Sequence, residues 1–192
     1  PEAKFRPLFE NDVLPTLDFF PDINQNGGLV LDLGCGNGWY LRALASQFDN
    51  IRGIGLDMME PNIEAAKRLA DREKVADRLN FELRDIIEYH TDQEEPAADA
   101  IVLHRTLHHV WSHREQVFRK IARRLAPGGH AVIWEPAWPN ERSALRSAER
   151  RMLGVRNLAE HAMGNRLLEP EEICRQFDAV DMNAELRSVD EV

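Results

Sequence analysis

Cysteine is scarce in this chain, with two residues, Cys35 and Cys174, among 192. Two thiols cannot build a disulfide framework, which points to a reducing, cytoplasmic compartment. Long apolar runs are also missing. No stretch approaches the roughly 18 apolar residues of a membrane-crossing helix, so a membrane span is excluded. No basic segment precedes an apolar one near Pro1-Glu2-Ala3-Lys4, so no secretory signal is visible. A start at Pro1 leads us to expect that the natural chain begins upstream. Positive charge is in deficit: 24 Lys and Arg against 33 Asp and Glu leave a net −9. That balance opposes a nucleic-acid partner, because affinity for phosphates rests largely on Lys and Arg contacts. The basic residues Arg142, Arg146, Arg150 and Arg151 have the i, i+4 spacing of a solvated helix face. There is no internal repeat and no low-complexity tract. The 43% of hydrophobic residues suffices for one domain with a sizeable core.

What the chain does have is Leu29-Val30-Leu31-Asp32-Leu33-Gly34-Cys35-Gly36-Asn37-Gly38. An apolar run containing an acid leads into three glycines at alternate positions, and a helical pattern follows (Tyr40, Leu41, Leu44, Ala45, Phe48). The pattern predicts a buried parallel strand that turns on glycines into a helix. Glycine tolerates positive φ and has no Cβ, so a ligand can lie against bare backbone. The helix start adds unpaired N–H groups and a partial positive charge. Such a turn is a nucleotide cradle. A dinucleotide site wants Gly-x-Gly-x-x-Gly, but the third glycine would fall on Trp39 or, counted from Gly36, on Leu41. A Walker-type loop is excluded, since no Lys follows the glycines. The pattern here is Asp-x-Gly-x-Gly-x-Gly.

With that motif the chain resembles the class I S-adenosylmethionine-dependent methyltransferases, whose first motif reads much as LVLDLGCGNG does. Further segments agree in order and spacing. Ile51–Asp57 reads as a second strand ending in an acid, where Asp57 can accept hydrogen bonds from both ribose hydroxyls. Phe81-Glu82-Leu83-Arg84-Asp85-Ile86 reads as a third, and in the family its acid faces the adenine amino group. Ala98–His104 is the fourth strand, and Leu125–Pro136 matches the family's helix end, Pro-Gly-Gly turn and fifth strand. The resemblance spans about residues 29 to 136. It implies an α/β fold: a doubly wound, mostly parallel sheet with helices on both faces, the Rossmann-like methyltransferase fold. It implies S-adenosylmethionine as cofactor, with S-adenosylhomocysteine as product. The donor-binding residues it implies are Asp32, Gly34, Cys35, Gly36, Gly38, Asp57, Met58, Asp85, Ile86 and His104. Asp32 is expected to order the turn through backbone N–H bonds more than to touch the ligand.

We read residues 1–192 as a single domain with two additions. An N-terminal helical cover over 1–26 lies above the cofactor, with Leu8, Phe9, Val13, Leu14, Leu17 and Phe20 on its apolar face. A helical insertion over 137–169 forms the acceptor lid, because long excursions between core elements are uncommon unless functional. Its Met152, Leu153, Val155, Leu158 and Met163 would face an apolar acceptor, pack on the sheet or form a homodimer surface, with Glu160 and His161 as polar contacts. Pro61 opens the helix carrying Ile63, Ala66, Leu69 and Ala70, and His113 to Leu125 is helical. Ala179 to Ser188 alternates as a sixth strand. The family's seventh strand is not visible before Val192, so the chain is cut short or its last segment pairs differently.

The acceptor half is less legible. His104-Arg105-Thr106-Leu107-His108-His109-Val110-Trp111-Ser112-His113 holds four of the seven histidines. On a helix His104/His108 and His109/His113 would share faces as zinc ligands do, but no acid or thiolate sits at ligand spacing, and we expect no metal. A histidine acting as general base fits neutral pH, with His109 ahead of His108 by position. Glu135, ending the fifth strand before Pro136, reads as a positioning or structural carboxylate. Cys35 sits where a helix start lowers a thiol pKa, yet in the resembling family it is a small filler. Trp39, Trp111, Trp134 and Trp138 are core residues for the most part, with one or two lining the acceptor site. The function expected is methyl transfer to an O, N or C nucleophile of a small molecule by in-line displacement. Aminopropyl transfer on the same scaffold and a non-catalytic donor-binding module are the alternatives. The Asn/Asp-Pro-Pro-Tyr/Phe motif for base amino groups is absent.

Overall fold

The computed structural model describes residues 2–88, 96–135, 165 and 167–187. Its centre is a five-stranded sheet in the order β3-β2-β1-β4-β5, with every pairing parallel. The strands are β1 (Leu29–Leu33), β2 (Arg52–Asp57), β3 (Leu79–Leu83), β4 (Ala98–His104) and β5 (Leu125–Trp134). β1 is buried along its whole length and β4 nearly so, which explains why they read as continuous apolar runs. Strand period sorts their side chains onto two faces. Val30 and Val102 pack under α3 (Trp39–Gln47) and α4 (Glu60–Glu73). Leu31, Leu33, Ile101 and Leu103 pack against α5 (Arg114–Arg124) and Phe177 of the last described helix, α6 (Pro170–Asp178). The sheet is therefore doubly wound, as expected.

The N-terminal segment is helical in short pieces. It comprises α1 (Glu2–Leu8), a π-helical turn (Phe9–Val13), a 3-10 turn (Leu14–Thr16) and α2 (Phe20–Gln25). Phe5, Phe9, Val13 and Phe20 are buried. Pro61 sits in the first turn of α4, whose Ile63, Ala66 and Ala70 face the sheet. Lys74 ends that helix in the left-handed region at φ 61°.

Three expectations are corrected. β3 stops at Leu83, so Asp85 lies two residues beyond the strand, in the following turn. The Pro-Gly-Gly segment is a bulge at the start of β5: Ala98 pairs with Leu125, but Ala100 pairs with His130. Finally, residues 182–187 form neither strand nor helix. Leu186, which a strand would have to bury on one face, is exposed instead. The lid residues from 137 to 164 lie outside the described residues, as do Trp138 and the arginine cluster.

β1 lies between β2 and β4, so strand order reverses beside it. Open α/β sheets place ligands at the carboxyl ends of strands at such a switch point. Those ends carry the glycine turn, Asp57, His104 and Glu135.

Candidate functional site

The glycine turn is built from β1 outward. Its first two amides, from Gly34 and Cys35, both donate to the Leu56 carbonyl at 2.8 and 2.9 Å, and Gly38 N donates to the Cys35 carbonyl. Gly34 and Gly36 both have positive φ, at 79° and 54°, but their surroundings differ. A Cβ on Gly34 would lie 2.4 Å from Cγ2 of Thr106, whereas one on Gly36 would meet nothing within 4 Å among the described residues beyond its chain neighbours. Gly34 is thus a packing requirement. Gly36 leaves open space in front of the turn.

Asp57 ties this turn to the next helix. Its Oδ2 accepts from Gly36 N at 2.9 Å, while Oδ1 accepts from Met59 N at 2.8 Å and from the Asn62 amide at 3.1 Å. A carboxylate has about four acceptor sites, so the ribose role expected of Asp57 shares the group with the backbone. Beside it Met58 and Leu83 are exposed by 66% and 54%, leaving an open apolar edge at the ends of β2 and β3. Asp85 caps its own turn by accepting from Ile87 N at 2.7 Å. α5 holds that turn from below: Lys120 donates to the carbonyls of Ile86 and Ile87, and Gln116 to Ile87. Ile86 is buried.

Asp32 does not behave as expected. Neither carboxyl oxygen, both of them buried, meets a hydrogen-bond partner among the described residues, so it makes no backbone N–H bonds. Burial, with the Asp57 charge second, raises its pKa to about 8. The Cys35 thiol is likewise pushed up, by burial and then by Asp32 and Asp57. The helix-start effect is outweighed, and Cys35 is a buried free thiol.

The four histidines part company because the chain kinks immediately after β4. Arg105 takes φ 55°, its N–H donates to the Trp134 carbonyl, and two 3-10 turns follow, Leu107–His109 and Trp111–His113. No continuous helix pairs His104 with His108 or His109 with His113. His104 lies among aromatic rings, with centroids at 5.1 Å (Phe5), 4.9 Å (Trp39) and 4.8 Å (Trp134). Its Nε2 is buried with no partner among the described residues, and burial, helped by Arg105, lowers its pKa to about 3. His104 is therefore neutral.

His108 is buried and donates from Nδ1 to Glu135 Oε2 at 2.6 Å, while Glu135 Oε1 accepts from Leu107 N at 2.6 Å. The two side chains are 3% and 2% exposed. His109 is exposed, its ring 4.0 Å from that of His108, with Nδ1 2.8 Å from the Asn165 amide. His113 is exposed beside Ser112. Among the described residues no three His, Cys, Asp or Glu side chains converge to hold a metal ion. Thr106 links the two halves: its hydroxyl is 3.2 Å from the carbonyls of both Gly34 and His104.

Several contributors escaped the sequence reading: Thr106, Asn62, Lys120 and the clamp holding α1. In that clamp Glu2 accepts from the Asn37 amide of the glycine turn at 2.8 Å and from Arg42 at 2.7 Å. Arg42 also pairs with Glu73, and Arg6 joins Glu2, Glu10 and Glu73. One signal was available, because Arg42 is the sole charge within the apolar run Trp39–Ala45. A buried arginine there demands acids nearby.

A family model described as a methyltransferase domain matches residues 30–129. The probable tRNA methyltransferase 9B of Mus musculus is 30% identical over 122 residues, 62% of this chain and 24% of that protein. The 27-O-demethylrifamycin SV methyltransferase of Amycolatopsis mediterranei (strain S699) is 33% identical over 107 residues, 56% of this chain and 38% of that one. An O-methyltransferase family protein from Burkholderia thailandensis shares the fold, with TM-score 0.74 at 18% identity over 99% of this chain and 57% of that one. The chain thus spans only 24% to 38% of the length of these two curated relatives. No described helix is long and apolar enough to cross a membrane. By the matched domain, the glycine turn and the parallel sheet, this chain belongs to the methyltransferase-domain family, the S-adenosylmethionine-dependent enzymes of class I.

Proposed function

We propose that the chain transfers a methyl group from S-adenosylmethionine to a nucleophile of a small-molecule acceptor, oxygen in preference to nitrogen or carbon. The observation that carries this reading is the buried His108–Glu135 pair at the ends of β4 and β5. Thr106, two residues before His108, packs against Gly34 of the donor turn.

The residues present fit the donor. Gly36 keeps space open in front of the turn, Asp57 and Asp85 offer carboxylates for ribose and adenine, and Asp32 is a buried acid without a partner among the described residues. Gly34, Cys35, Gly38, Met58, Ile86 and His104 complete the proposed set. When bound, the donor supplies a methyl group on a positively charged sulfur. The rest is orientation and proton handling by this chain. Alignment of nucleophile and methyl group can be worth about 7–11 kcal/mol. Glu135 fixes the Nδ1–H form of His108, which makes Nε2 the basic nitrogen. That order differs from the sequence expectation, in which His109 led; the Asn165 contact at Nδ1 and the exposure of His109 support it as a wall of the site. A base is needed when the acceptor must lose a proton, as an alcohol or phenol does, and this favours oxygen.

The net charge of −9 and the ring cluster of Phe5, Trp39, His104 and Trp134 support a small acceptor. The similarity to the mouse protein named a tRNA methyltransferase supports a second reading, a nucleic-acid acceptor. Labelled S-adenosylmethionine separates them. The protein is incubated in parallel with a metabolite extract and with bulk tRNA. Label in acid-soluble products is expected; label confined to acid-precipitable tRNA would replace the first reading with the second. A homodimer and a single domain with a 137–169 lid remain part of the proposal.

A further inference from the structure

Thr106 stands where a threonine ordinarily caps, immediately before the 3-10 turn Leu107–His109, yet its side chain makes no cap bond there. The first amide of that turn, Leu107 N, is taken by Glu135 Oε1 at 2.6 Å, and Glu135 Oε2 accepts from His108 Nδ1 at 2.6 Å. One carboxylate thus holds both the backbone and the ring of the turn that carries His108. The Thr106 hydroxyl, relieved of capping, lies 3.2 Å from the carbonyls of Gly34 and His104. It has a single proton to donate, and Gly34 belongs to the glycine turn, 72 residues away in the chain.

The backbone on both sides is arranged around this contact. Arg105 is held in the left-handed region at φ 55°, unfavourable for a residue with a Cβ, and its N–H donates to the Trp134 carbonyl at 2.8 Å. That kink takes the chain off the line of β4 and sets Thr106 against the glycine turn. Opposite it, Gly34 has no side chain where a Cβ would lie 2.4 Å from Thr106 Cγ2 and 2.5 Å from Oγ1. The room that Gly34 leaves is filled by Thr106. The Thr106 carbonyl accepts from His109 N at 3.0 Å, which fixes the residue to the histidine turn as well.

Resting on the readings of the glycine turn as donor site and His108 as base, we propose that Thr106 is a positioning residue that passes occupancy of the donor turn on to His108. A ligand against the glycines stills the Gly34 carbonyl, and the hydroxyl bond then stills Thr106. Leu107 and His108, the next two residues, are already tied to Glu135. The base is therefore ordered most when the donor is in place. Ordering one element lowers the cost of ordering the next, so donor and acceptor bind with positive cooperativity and without a change of fold. Placement matters here, because a displacement of about 1 Å at a reacting group can cost about 10²-fold in rate.

Hydrogen exchange read by mass spectrometry on the intact protein, with and without saturating S-adenosylhomocysteine, tests this. Peptides over the glycine turn are compared with peptides over Leu107–Val110, whose bonded amides are Leu107 N, His109 N and Val110 N. In wild type the ligand should slow exchange about tenfold in both segments. Thr106→Val keeps the shape and loses the hydroxyl, so only the glycine turn should still be slowed. Thr106→Ser keeps the hydroxyl and should restore the second effect to within about threefold of wild type. A role in packing alone gives the opposite order, since serine loses the methyl group beside Gly34 and valine retains it. Equal slowing of Leu107–Val110 in Thr106→Val and wild type would overturn the proposal. So would wild-type slowing confined to the glycine turn, a result that needs no variant to fold. Slowing in neither segment, with no saturable binding, would instead overturn the donor-site reading, and the proposal with it.

Discussion

Replacing Gly36 by alanine separates the ligand's need for this turn from the fold's need for it. A non-glycine residue held at φ 54° incurs about 1–2 kcal/mol from Cβ sterics. Among the described residues nothing else opposes the methyl group, because beyond the chain neighbours no atom lies within 4 Å of it. For a protein of this size 1 kcal/mol corresponds to roughly 2–4 °C in Tm, so Gly36→Ala should melt about 2–8 °C below wild type. The methyl group then stands in the space in front of the turn, and S-adenosylhomocysteine should bind more than tenfold more weakly, a loss above about 1.4 kcal/mol. Gly34→Ala carries a similar conformational cost plus an overlap, with its Cβ 2.4 Å from Thr106 Cγ2 and 2.5 Å from Oγ1. Overpacking adds about 1–3 kcal/mol, so this variant should be the less stable of the two. Thermal melts and calorimetry on both measure the two effects. A folded Gly36→Ala protein that binds S-adenosylhomocysteine within twofold of wild type would refute the assignment of that space to the ligand.

Two further substitutions probe the groups that flank the cradle. His108→Asn should cut turnover by about 10²–10⁴ with little change in donor affinity, and by more than His109→Ala does; steady-state kinetics with an identified acceptor compares them, and a larger loss in the His109 variant would restore the opposite order. Lys120→Met removes the ammonium that holds the Ile86 and Ile87 carbonyls. It should weaken S-adenosylhomocysteine binding roughly three- to tenfold, a loss of about one hydrogen bond's net worth, and unchanged affinity would show that Gln116 alone suffices.

The donor half was legible because it consists of local patterns. The run Leu29–Leu33, the three glycines and the acid at Asp57 each lie within a few residues of the backbone they shape, and β1, β2 and β4 fall where the apolar runs place them. Asp85 shows the limit: the acid was legible, but the strand's end at Leu83 was not, because Asp85 takes part in an Asx turn with Ile87 instead. The histidines show a different limit. Their i, i+4 spacing suggested shared helix faces, and a single left-handed residue, Arg105, removed them. Nothing in the sequence marks that conformation, which arises where β4 ends against Trp134. The His108–Glu135 bond joins residues 27 apart, beyond the reach of any periodicity. Asp32 was misjudged because the amides of the glycine turn bond elsewhere, to Leu56 O and Asp57.

The clamp on α1 binds the two halves of the site into one unit. The Arg6 pairs, each about a quarter exposed, contribute little individually. Arg42 differs, because its side chain is fully buried and its partners are Glu2 and Glu73. Stranding a buried charge costs about 3–5 kcal/mol, but withdrawal of α1 would remove only Glu2 and leave Glu73 in place, so the electrostatic cost falls below that range. The apolar side raises it again. Phe5 leaves the rings of His104 and Trp134 when α1 departs, and burial of one such side chain is worth about 1.5–3 kcal/mol. Glu2 also releases the Asn37 amide of the glycine turn. Movement of the cover therefore uncovers the His104 cluster and removes support from the donor turn in the same step. The two sites are distinct in sequence, but α1 makes their stability common.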